Sequence, residues 1–477
     1  MRRALALGVA VALGASFSVG GCGAFTATDP TPKADGGTSD AGVVAARRIT
    51  VELEWPSLAS LDPRSLGALT SFDLELFDGD TSVVKVPVPL TELGKPIDLG
   101  ERTTGGRVRV VASGVQGNRL VAYGERRDVD VALSPTVPVA VRRRLFYFTS
   151  SDRDTGQLRV VDMAPAELAE PGTKELTAPL PSLRKPSGLV ATSDGKWVVQ
   201  SGFESTTATN GQLAVLSTSD HSREIVPLDF APAGIAPIDA GRRILVAPDS
   251  GTSFGVLDPA SRSVTKISST FQGGKLSVGD LAVHPDRSRV AMIADYDTGT
   301  GTTHQIVVFD GTKLESKPIG EEPSGVRWAR DGGSLVVSLR SGDVSIRSPD
   351  GATERARIPK AASDNTVGVL VHPTAPYAYV SGEGKLRVYD LVAGKIVFES
   401  GGDGRGPEYQ LTSMARLPYP PRRVIAGQSD PGNNWTQARL VEIPDGQIAP
   451  AKIELRSWNN LDVGSVSSIS PLFAEPL

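Results

Sequence analysis

Two short acidic runs have the spacing of a calcium-binding loop. Residues 152–156 and residues 295–299 both read Asp-x-Asp-x-Gly. Carboxylate oxygens at alternate positions suit Ca²⁺, but such a loop normally ends in a bidentate glutamate at its twelfth position. In the second run that position is Ile306. Because Asp and Gly also form ordinary turns between strands, we interpret both runs as turns and predict no metal site there.

Two histidine–proline pairs are the other candidates for chemistry. His284-Pro285 and His372-Pro373 occupy the same place in two copies of a repeat described below. Paired histidines near a shared axis could ligate a metal or transfer protons. Other copies carry serine, alanine, arginine or tyrosine at or near this turn. We therefore interpret both pairs as turn residues.

Motifs for other reaction classes are missing from the sequence. There is no Gly-x-Ser-x-Gly elbow, phosphate-binding glycine loop, His-Glu-x-x-His pair or Cys-x-x-Cys pair. The formal net charge is −4, and no basic stripe with interleaved aromatics is present, which argues against nucleic acid as a partner. The sequence thus predicts no catalytic residue, metal or cofactor, and it does not identify ligand-binding residues.

The single cysteine, Cys22, stands at the end of an apolar amino-terminal segment. Two arginines precede the apolar residues 4–19, a stretch that suits a secretory h-region and is short for a membrane-spanning helix. Residues 19–22 read Val-Gly-Gly-Cys, which resembles the bacterial lipobox with valine where leucine is usual. The resemblance implies a lipoprotein signal peptide over residues 1–21, cleavage before Cys22, and a diacylglyceryl anchor on that cysteine.

Residues 22–46 are expected to form a flexible tether. They hold mainly Gly, Thr, Asp and Pro, with almost no bulky apolar residue before Val43, so they cannot bury enough surface to fold. A coil of this length spans about 25–30 Å. Gly23 stands where an Asp usually signals inner-membrane retention in Gram-negative lipoproteins. The resemblance therefore implies a lipid-anchored protein of the bacterial envelope, at the outer membrane and either periplasmic or surface-exposed.

Residues 47–143 predict a small β-sandwich. Short segments alternate apolar and polar residues between turns, as half-buried antiparallel strands do. The Gly105, Gly114 and Gly124 spacing is similar to that of transthyretin-like or carbohydrate-binding-like modules. Only Trp55 and Tyr123 are aromatic candidates for a sugar face, so a spacer or docking role is favoured. The predicted strands are residues 49–55, 72–78, 83–88, 106–113, 119–125, 127–133 and 137–142.

Residues 145–477 contain a repeat with a period of about 45 residues. A small residue followed by an apolar one opens each copy, and a turn with a second apolar strand follows. This period is that of a four-stranded propeller blade. The pairs are Gly188-Leu189, Gly234-Ile235, Asp280-Leu281, Gly325-Val326, Gly368-Val369, Ser413-Met414 and Ser468-Ile469.

A third strand in each copy ends in Asp or a substitute, as in residues 384–390, Gly-Lys-Leu-Arg-Val-Tyr-Asp. The region resembles WD-repeat propellers and, more closely, the bacterial YVTN-type propellers, with Tyr-Val-Ser-Gly at residues 379–382 as the local match. None of the third strands ends in Trp-Asp, so the buried hydrogen-bond network of WD repeats is not implied. The resemblance implies an all-β chain whose main domain is a seven-bladed β-propeller. It implies no particular activity.

The two ends of this region should complete each other. The first segment, residues 145–150, matches a second-position strand, whereas residues 463–472 match a first-position strand with no blade after it. We therefore expect the C-terminal strand to close the ring beside residue 145, which would remove the open sheet edges.

Two functions of different classes remain. The first is a lipid-anchored envelope protein whose propeller is a scaffold for a protein or small ligand. The alternative is a propeller enzyme of the lactonase or lyase type, which needs convergent acids or histidines at the channel mouth. The inner strands carry mostly Ala, Val and Leu, with Thr192, Arg327 and Arg416 as the polar exceptions. This composition favours the binding scaffold.

Three longer connections are the expected recognition loops. Residues 204–210, 295–303 and 429–436 each join a second strand to a third strand, so they should share one face of the propeller. Loops on one face of a rigid scaffold are where recognition usually occurs.

Overall fold

The fold is known from a computed structural model, and the chain divides into two units, Met1–Ala45 and Ala46–Leu477. Cys22, the signal peptide, the tether and the acidic run at residues 152–156 lie outside the described residues. Among the described residues, no helix has the length and apolar character needed to cross a membrane. The structure describes residues 47–54, 71–78, 81–102, 107–116, 119–130, 136–143, 145–151, 157–162, 174–175, 180–205, 207–218, 220–268, 271, 274–360, 366–372, 375–382, 385–399, 410–417, 423–430, 435–442, 455–457 and 465–471.

The first folded region consists of two packed sheets. One sheet has the order β4-β1-β7, with β1 and β7 parallel, and the other has the order β3-β2-β5-β6-β8. A 3₁₀ turn, Leu90–Glu92, follows β3. The strands are β1 Arg47–Glu54, β2 Ser71–Asp78, β3 Thr81–Pro89, β4 Pro96–Arg102, β5 Arg107–Gln116, β6 Arg119–Asp130, β7 Thr136–Ala140 and β8 Arg142–Arg143.

The core of this sandwich is formed by every second residue of its strands. In β2, Phe72, Leu74 and Leu76 are buried while the residues between them are partly exposed. They pack against apolar residues of both sheets, including Val51 of β1 and Val110 of β5. The period of two that predicted the strands thus places one face of each sheet in a shared core.

The sandwich differs from the prediction at three places. The strand expected at residues 137–142 is divided into β7 and β8, which belong to different sheets. The two strands expected within residues 119–133 are one strand, β6. The strand β4 was not predicted, because only Ile97 and Leu99 alternate in a segment rich in Pro, Asp and Gly. The strand is stabilised by its antiparallel pairing with β1, although its own sequence pattern is weak.

From Leu145 onward the chain forms successive antiparallel sheets, each built mainly of four strands. Within each complete sheet the order in space follows the order in the chain. The strands are β9 Leu145–Ser151, β10 Gln157–Asp162, β11 Lys174–Glu175, β12 Leu180–Pro181, β13 Arg184–Ala191, β14 Trp197–Phe203, β15 Gly211–Ser217, β16 Arg223–Pro227, β17 Pro232–Ile238, β18 Arg243–Pro248, β19 Ser253–Asp258, β20 Ser263–Ser268, β21 Lys275–Val283, β22 Val290–Asp297, β23 Thr302–Phe309, β24 Leu314–Ile319, β25 Pro323–Trp328, β26 Leu335–Leu339, β27 Val344–Arg347, β28 Glu354–Ile358, β29 Thr366–Val371, β30 Tyr377–Gly382, β31 Lys385–Asp390, β32 Lys395–Glu399, β33 Gln410–Leu417, β34 Arg423–Asp430, β35 Trp435–Glu442, β36 Leu455–Ser457 and β37 Ser465–Pro471.

The first strands of these sheets contact one another in a ring. In the described part of the chain, β13, β17, β21, β25, β29, β33 and β37 each contact the next, and β37 also contacts β13. Strand β37 pairs antiparallel with β9 and thereby completes the sheet that opens the region. The prediction of an all-β chain with a β-propeller behind a small β-sandwich is confirmed by this topology.

The apolar core of the propeller lies between neighbouring sheets. Ala282, Ile293 and Ile306 of one sheet pack with Val326 and Val337 of the next. The middle strands are therefore covered on both faces and read as continuous apolar runs, such as the buried residues 244–248 of β18.

The connections between strands divide into two faces. Because neighbouring strands are antiparallel, the turns after the first and third strands of a sheet share one end, here called the turn face. The connections between second and third strands share the opposite end, here called the loop face. Residues 204–210 lie on the loop face as expected. The other two expected loops are partly strand, since β22 and β23 extend to Asp297 and Thr302, and β34 and β35 to Asp430 and Trp435.

Aspartates stabilise several tight turns of the turn face. Asp220 accepts hydrogen bonds from the Ser222 backbone N–H at 3.0 Å and from the Ser222 hydroxyl at 2.8 Å. These bonds, with a further one from the Ser217 side chain, lower the pKa of Asp220 to about 2. Backbone hydrogen bonds likewise lower the pKa of Asp258 and of Asp310.

We expect the stability of the protein to fall as the pH drops from about 4 towards 2. A carboxyl with a lowered folded-state pKa contributes stability above its unfolded pKa of about 3.9, and that contribution is lost as the pH falls through the folded-state pKa. Thermal melts of wild type and Asp220→Asn at pH 5, 3 and 2 check this. The melting temperature of wild type should exceed that of the variant at pH 5, and the difference should shrink by pH 2. A difference independent of pH would contradict the assignment.

Candidate functional site

The recurring small residue lies where adjacent inner strands touch. A Cβ at Gly188 would lie 2.9 Å from Cγ1 of Ile235 and 3.1 Å from the Ile235 nitrogen in the next sheet. A Cβ at Gly325 would lie 3.1 Å from the nitrogen of Val369. We call the small residue position 0 and the two residues after it positions 1 and 2. The contact between inner strands explains why position 0 is small.

Asp280 occupies position 0 in β21 and uses its carboxylate to bridge two sheets. Its Oδ1 accepts a hydrogen bond from the Leu281 backbone N–H at 2.9 Å. Its Oδ2 accepts one from the Val326 backbone N–H at 3.0 Å and one from Nη1 of Arg327 at 2.6 Å. The carboxylate therefore binds the position 1 N–H groups of two neighbouring inner strands.

Arg327 complements this arrangement from position 2 of β25. Its Nη1 donates to the carbonyl oxygen of Val326 at 2.5 Å and lies 3.3 Å from that of Leu281. The Asp280–Arg327 pair thus bonds both the backbone donors and the backbone acceptors of position 1 at this junction. The two side chains are 24% and 27% exposed.

The other described junctions cannot form such a pair. None of them has an acid at position 0, since four of these residues are glycine (Gly188, Gly234, Gly325 and Gly368) and two are serine (Ser413 and Ser468). Sequence reasoning singled out Arg327 but grouped Asp280 with the glycines as a small residue. The signal that would have revealed it is the single acid among the repeated position 0 residues. Thr192 lies in a turn, where its hydroxyl donates to Asp194 at 2.6 Å.

His284 lies at the turn-face end of the same junction. Its Nδ1 is 2.5 Å from Oδ1 of Asp286, and its Nε2 is 2.6 Å from Nη2 of Arg289. The buried imidazole meets the Trp328 ring of the next sheet edge-on, with centroids 4.6 Å apart. The Trp328 indole N–H donates to the carbonyl oxygen of Ala282 at 3.1 Å. These contacts hold the two sheets together at the turn face.

The second histidine is engaged separately. His372 is buried, and its Nδ1 accepts a hydrogen bond from the Ala375 backbone N–H at 2.9 Å. His372 thus contacts its own turn, whereas His284 contacts both its own turn and the next sheet. Among the described residues, no group of three or more His, Cys, Asp or Glu side chains could hold a metal ion.

Arg287, in the turn after β21, stands where the equivalent turns of three other sheets have glycine. Gly195, Gly241 and Gly332 take positive φ angles of 66°, 82° and 68° in the equivalent turns, whereas Arg287 takes 58°. A left-handed conformation costs a non-glycine residue about 1–2 kcal/mol. The Arg287 side chain reaches the preceding sheet, where Nη1 lies 3.4 Å from the Ala240 carbonyl oxygen. Burial lowers its pKa.

The second acidic run forms part of an extended hairpin on the loop face. Asp295 Oδ1 lies 2.7 Å from Nδ1 of His304, its cross-strand neighbour. Asp297 Oδ1 accepts a hydrogen bond from the Gly299 backbone N–H at 2.7 Å. Both carboxylates are thus engaged in the hairpin. Residues 295–297 of the run belong to strand β22, and only residues 298–299 lie at the tip where a turn was expected.

These departures from the repeat converge on one junction. The acid at position 0, its arginine partner, the His284 turn and the extended hairpin all belong to the sheet β21–β24 or to its contact with β25. We take this junction, together with the β22–β23 hairpin, as the candidate functional site. Cys22, the predicted lipidation residue, lies outside the described residues.

Comparison with known proteins gives similarity in structure only. No family model matches the chain, and no curated protein matches it. Hydrazine synthase from Kuenenia stuttgartiensis is similar with 15% identity, covering 63% of this chain and 95% of its own, at a TM-score of 0.44. Dihydro-heme d1 dehydrogenase NirN in complex with DHE is similar with 14% identity, covering 68% and 74%, at a TM-score of 0.47. At these TM-scores neither protein's activity is assigned to this chain, and the fold rests on its own strand topology.

Proposed function

We propose that the chain is a lipid-anchored envelope protein whose β-propeller is a binding scaffold that recognises a protein or ligand through its loop face. The observation that carries the proposal is the β22–β23 hairpin. Its strands pair as far as Asp297 and Thr302, whereas pairing of β26 with β27 stops at Ser338 and Val344. Strands β34 and β35 likewise pair as far as Asp430 and Trp435. Insertions of single repeats on one face of a repeat protein often form its binding face.

The tip of this hairpin is exposed and internally ordered. Residues 297–303 are exposed. Thr298 Oγ1 lies 2.9 Å from Oγ1 of Thr300, and the Thr298 backbone N–H donates to the Gly301 carbonyl oxygen at 3.2 Å. A preformed loop loses less conformational entropy when it binds a partner. These contacts support recognition by the hairpin.

A photo-crosslinking amino acid at Thr300 tests the proposal in intact cells. We expect a discrete crosslinked product from position 300 and none from exposed Ala260, the matched position on the turn face. A second variant replaces residues 295–304 by Asn-Gly and so shortens the hairpin. Ala294 and Gln305 are cross-strand neighbours, and Asn-Gly favours a two-residue hairpin turn.

The shortened hairpin should leave the fold intact and lower recovery of the crosslinked partner by at least about tenfold, which corresponds to 1.4 kcal/mol of binding free energy. Recovery would then be followed from a second loop-face probe at Ser205. Equal crosslinking from positions 300 and 260, or unchanged recovery after shortening, would contradict the proposed binding face.

Anchoring at Cys22 is the part of the proposal that rests on sequence. Two or three acyl chains, at about 0.8 kcal/mol per buried CH₂, hold a protein on a bilayer, whereas one binds only marginally. We expect Cys22→Ser to accumulate as unprocessed precursor or to appear as a soluble form after fractionation. A correctly cleaved Cys22→Ser protein that stays on the membrane after a salt wash would overturn the lipid anchor.

The alternative function is a lactonase or lyase. Such an enzyme requires several acids or histidines that converge at the channel. Among the described inner-strand residues the acid at position 0 is Asp280, and it is already bonded to Arg327. Lactone hydrolysis by the purified protein that is abolished by chelation would refute the binding-scaffold proposal.

A further inference from the structure

The five-stranded sheet of the sandwich has buried side chains on the face that points away from the sandwich core. Ala122 of β6 belongs to that core, and a Cβ at Gly124 would lie 3.1 Å from Cγ1 of Val139 in the other sheet. Because side chains alternate along a strand, Tyr123 and Glu125 point to the outer face. Tyr123 is nevertheless 7% exposed, and so is the side chain of Glu125. Another part of the chain therefore covers the outer face at β6.

One row of cross-strand neighbours shows over which strands the cover lies. Lys85 of β3 pairs with Glu75 of β2, Glu75 with Val111 of β5, and Val111 with Glu125 of β6. The Lys85 side chain is 56% exposed, whereas Val111 is 8% exposed and the Glu125 side chain 7%. Exposure thus falls along the row. The cover lies over β5 and β6 and leaves the outer face of β3 open to solvent.

The polar side chains of this covered face are bonded to one another. The Tyr123 hydroxyl donates to Oε2 of Glu125 at 2.9 Å, and Nη1 of Arg109 lies 3.5 Å from Oε1 of Glu125. The Arg109 guanidinium in turn lies 4.1 Å from the centroid of the Phe77 ring. A carboxylate that is removed from water requires partners of this kind. Because Tyr123 is buried, its ring is not available as part of a sugar-binding face.

The propeller joins the sandwich at the covered side of this sheet. Strand β8 completes the sheet beside β6, and its Arg142 pairs with Tyr123. Only residue 144 separates β8 from β9, so the facing ends of the two strands lie within about 7 Å of each other. The Leu145 end of β9 belongs to the turn face, because the other end, Ser151, leads into the loop-face connection to β10. The turn face beside β9 is therefore adjacent to the covered side chains.

We propose that the sandwich is a docking domain for its own propeller. The outer face of β5, β6 and β8 packs against the turn face beside β9, and this contact buries Val111 and Tyr123. Sandwich and propeller belong to one compact unit, Ala46–Leu477, as a packed interface requires. Docking covers part of the turn face and leaves the loop face open. This inference does not depend on what the β22–β23 hairpin binds.

A photo-crosslinking residue in place of Tyr123 identifies what covers this face. In the full chain, p-benzoylphenylalanine at position 123 keeps an aromatic ring there. After irradiation and digestion, we expect mass spectrometry to find position 123 linked to a turn-face segment of the propeller in the same chain. The same amino acid at exposed Ser82 of β3 is the control and should give no link to the propeller. Links from position 123 that are confined to residues 47–143, or no link at all, would overturn the proposal.

Trypsin provides a second measurement of docking in the full chain. Residues 142–144 are three consecutive arginines, and a protease cleaves a folded chain where it opens locally. Val111→Asp places a charge on the covered face without entering the sandwich core. We expect cleavage after residues 142–144 to become at least about tenfold faster, because a buried, unpaired charge opposes docking. Ser82→Asp, the same acid on the open part of the face, should keep the wild-type rate. An unchanged rate in Val111→Asp, or an equal increase in both variants, would overturn docking through this face. The crosslink at position 123 needs no added charge, so it decides the question if Val111→Asp fails to fold.

Discussion

A chain that ends before Ser465 should melt far below the intact protein and should aggregate. Strand β37 pairs with β9 from Ser465 opposite Ser151 to Pro471 opposite Phe146. It also contacts the inner strands β13 and β33. Its loss removes an inner strand and exposes the edge of β9, which can then pair with another chain. We expect a destabilisation of more than about 4 kcal/mol, in the exceptional range for a local change.

Thermal melting and size-exclusion chromatography check this expectation. The matched control is a chain that ends after Pro471, which keeps all of β37 and should melt like wild type. A synthetic peptide of residues 463–472 added to the truncated chain should restore part of the lost melting temperature, since the missing strand can bind non-covalently. A truncated chain that remains monomeric with an unchanged melting temperature would refute closure by β37.

Removal of Arg327 should destabilise the protein more than removal of Asp280. Arg327→Val leaves the Asp280 carboxylate three-quarters buried without its cation. Breaking an ion pair from one side costs several kcal/mol when the pair is buried, and we expect about 2 kcal/mol for this partly exposed one. Asp280→Gly installs the residue of the neighbouring junctions, and we expect a cost of about 1 kcal/mol from the lost hydrogen bonds.

The double variant Asp280→Gly/Arg327→Val completes a double-mutant cycle, which measures whether the two side chains are energetically coupled. It converts this junction to the glycine and apolar pattern of β13, so its stability should lie within about 1 kcal/mol of wild type and the cycle should show a coupling of about 2 kcal/mol. Arg340→Val is the control, because its ion pair with Glu322 is exposed and should contribute less than about 1 kcal/mol. Urea unfolding measures all four variants. Additive effects of the two substitutions would show that the pair is not coupled.

The register of the repeat was predictable because it depends on local pattern. Alternating residues in β2 and continuous apolar runs in β18 reveal, respectively, strands with one buried face and strands with two. The period of about 45 residues placed Gly188, Gly234 and Gly325 at equivalent points of the inner strands. It also led to the expectation that residues 463–472 lie beside the strand at residue 145. The weak strand β4 escaped prediction because it is held mainly by its pairing with β1.

The sequence by itself therefore determined the strand order, the repeat and the all-β architecture, since hydrophobic period and turn residues act over a few neighbouring positions. Only the tertiary structure decided what Asp280 does. Its partners Val326 and Arg327 lie 46 and 47 residues further along the chain, and no local pattern records a contact across that separation. Closure of the ring places inner strands of different sheets side by side. Asp280, the one acid among the position 0 residues, therefore forms an ion pair with Arg327 of the next sheet.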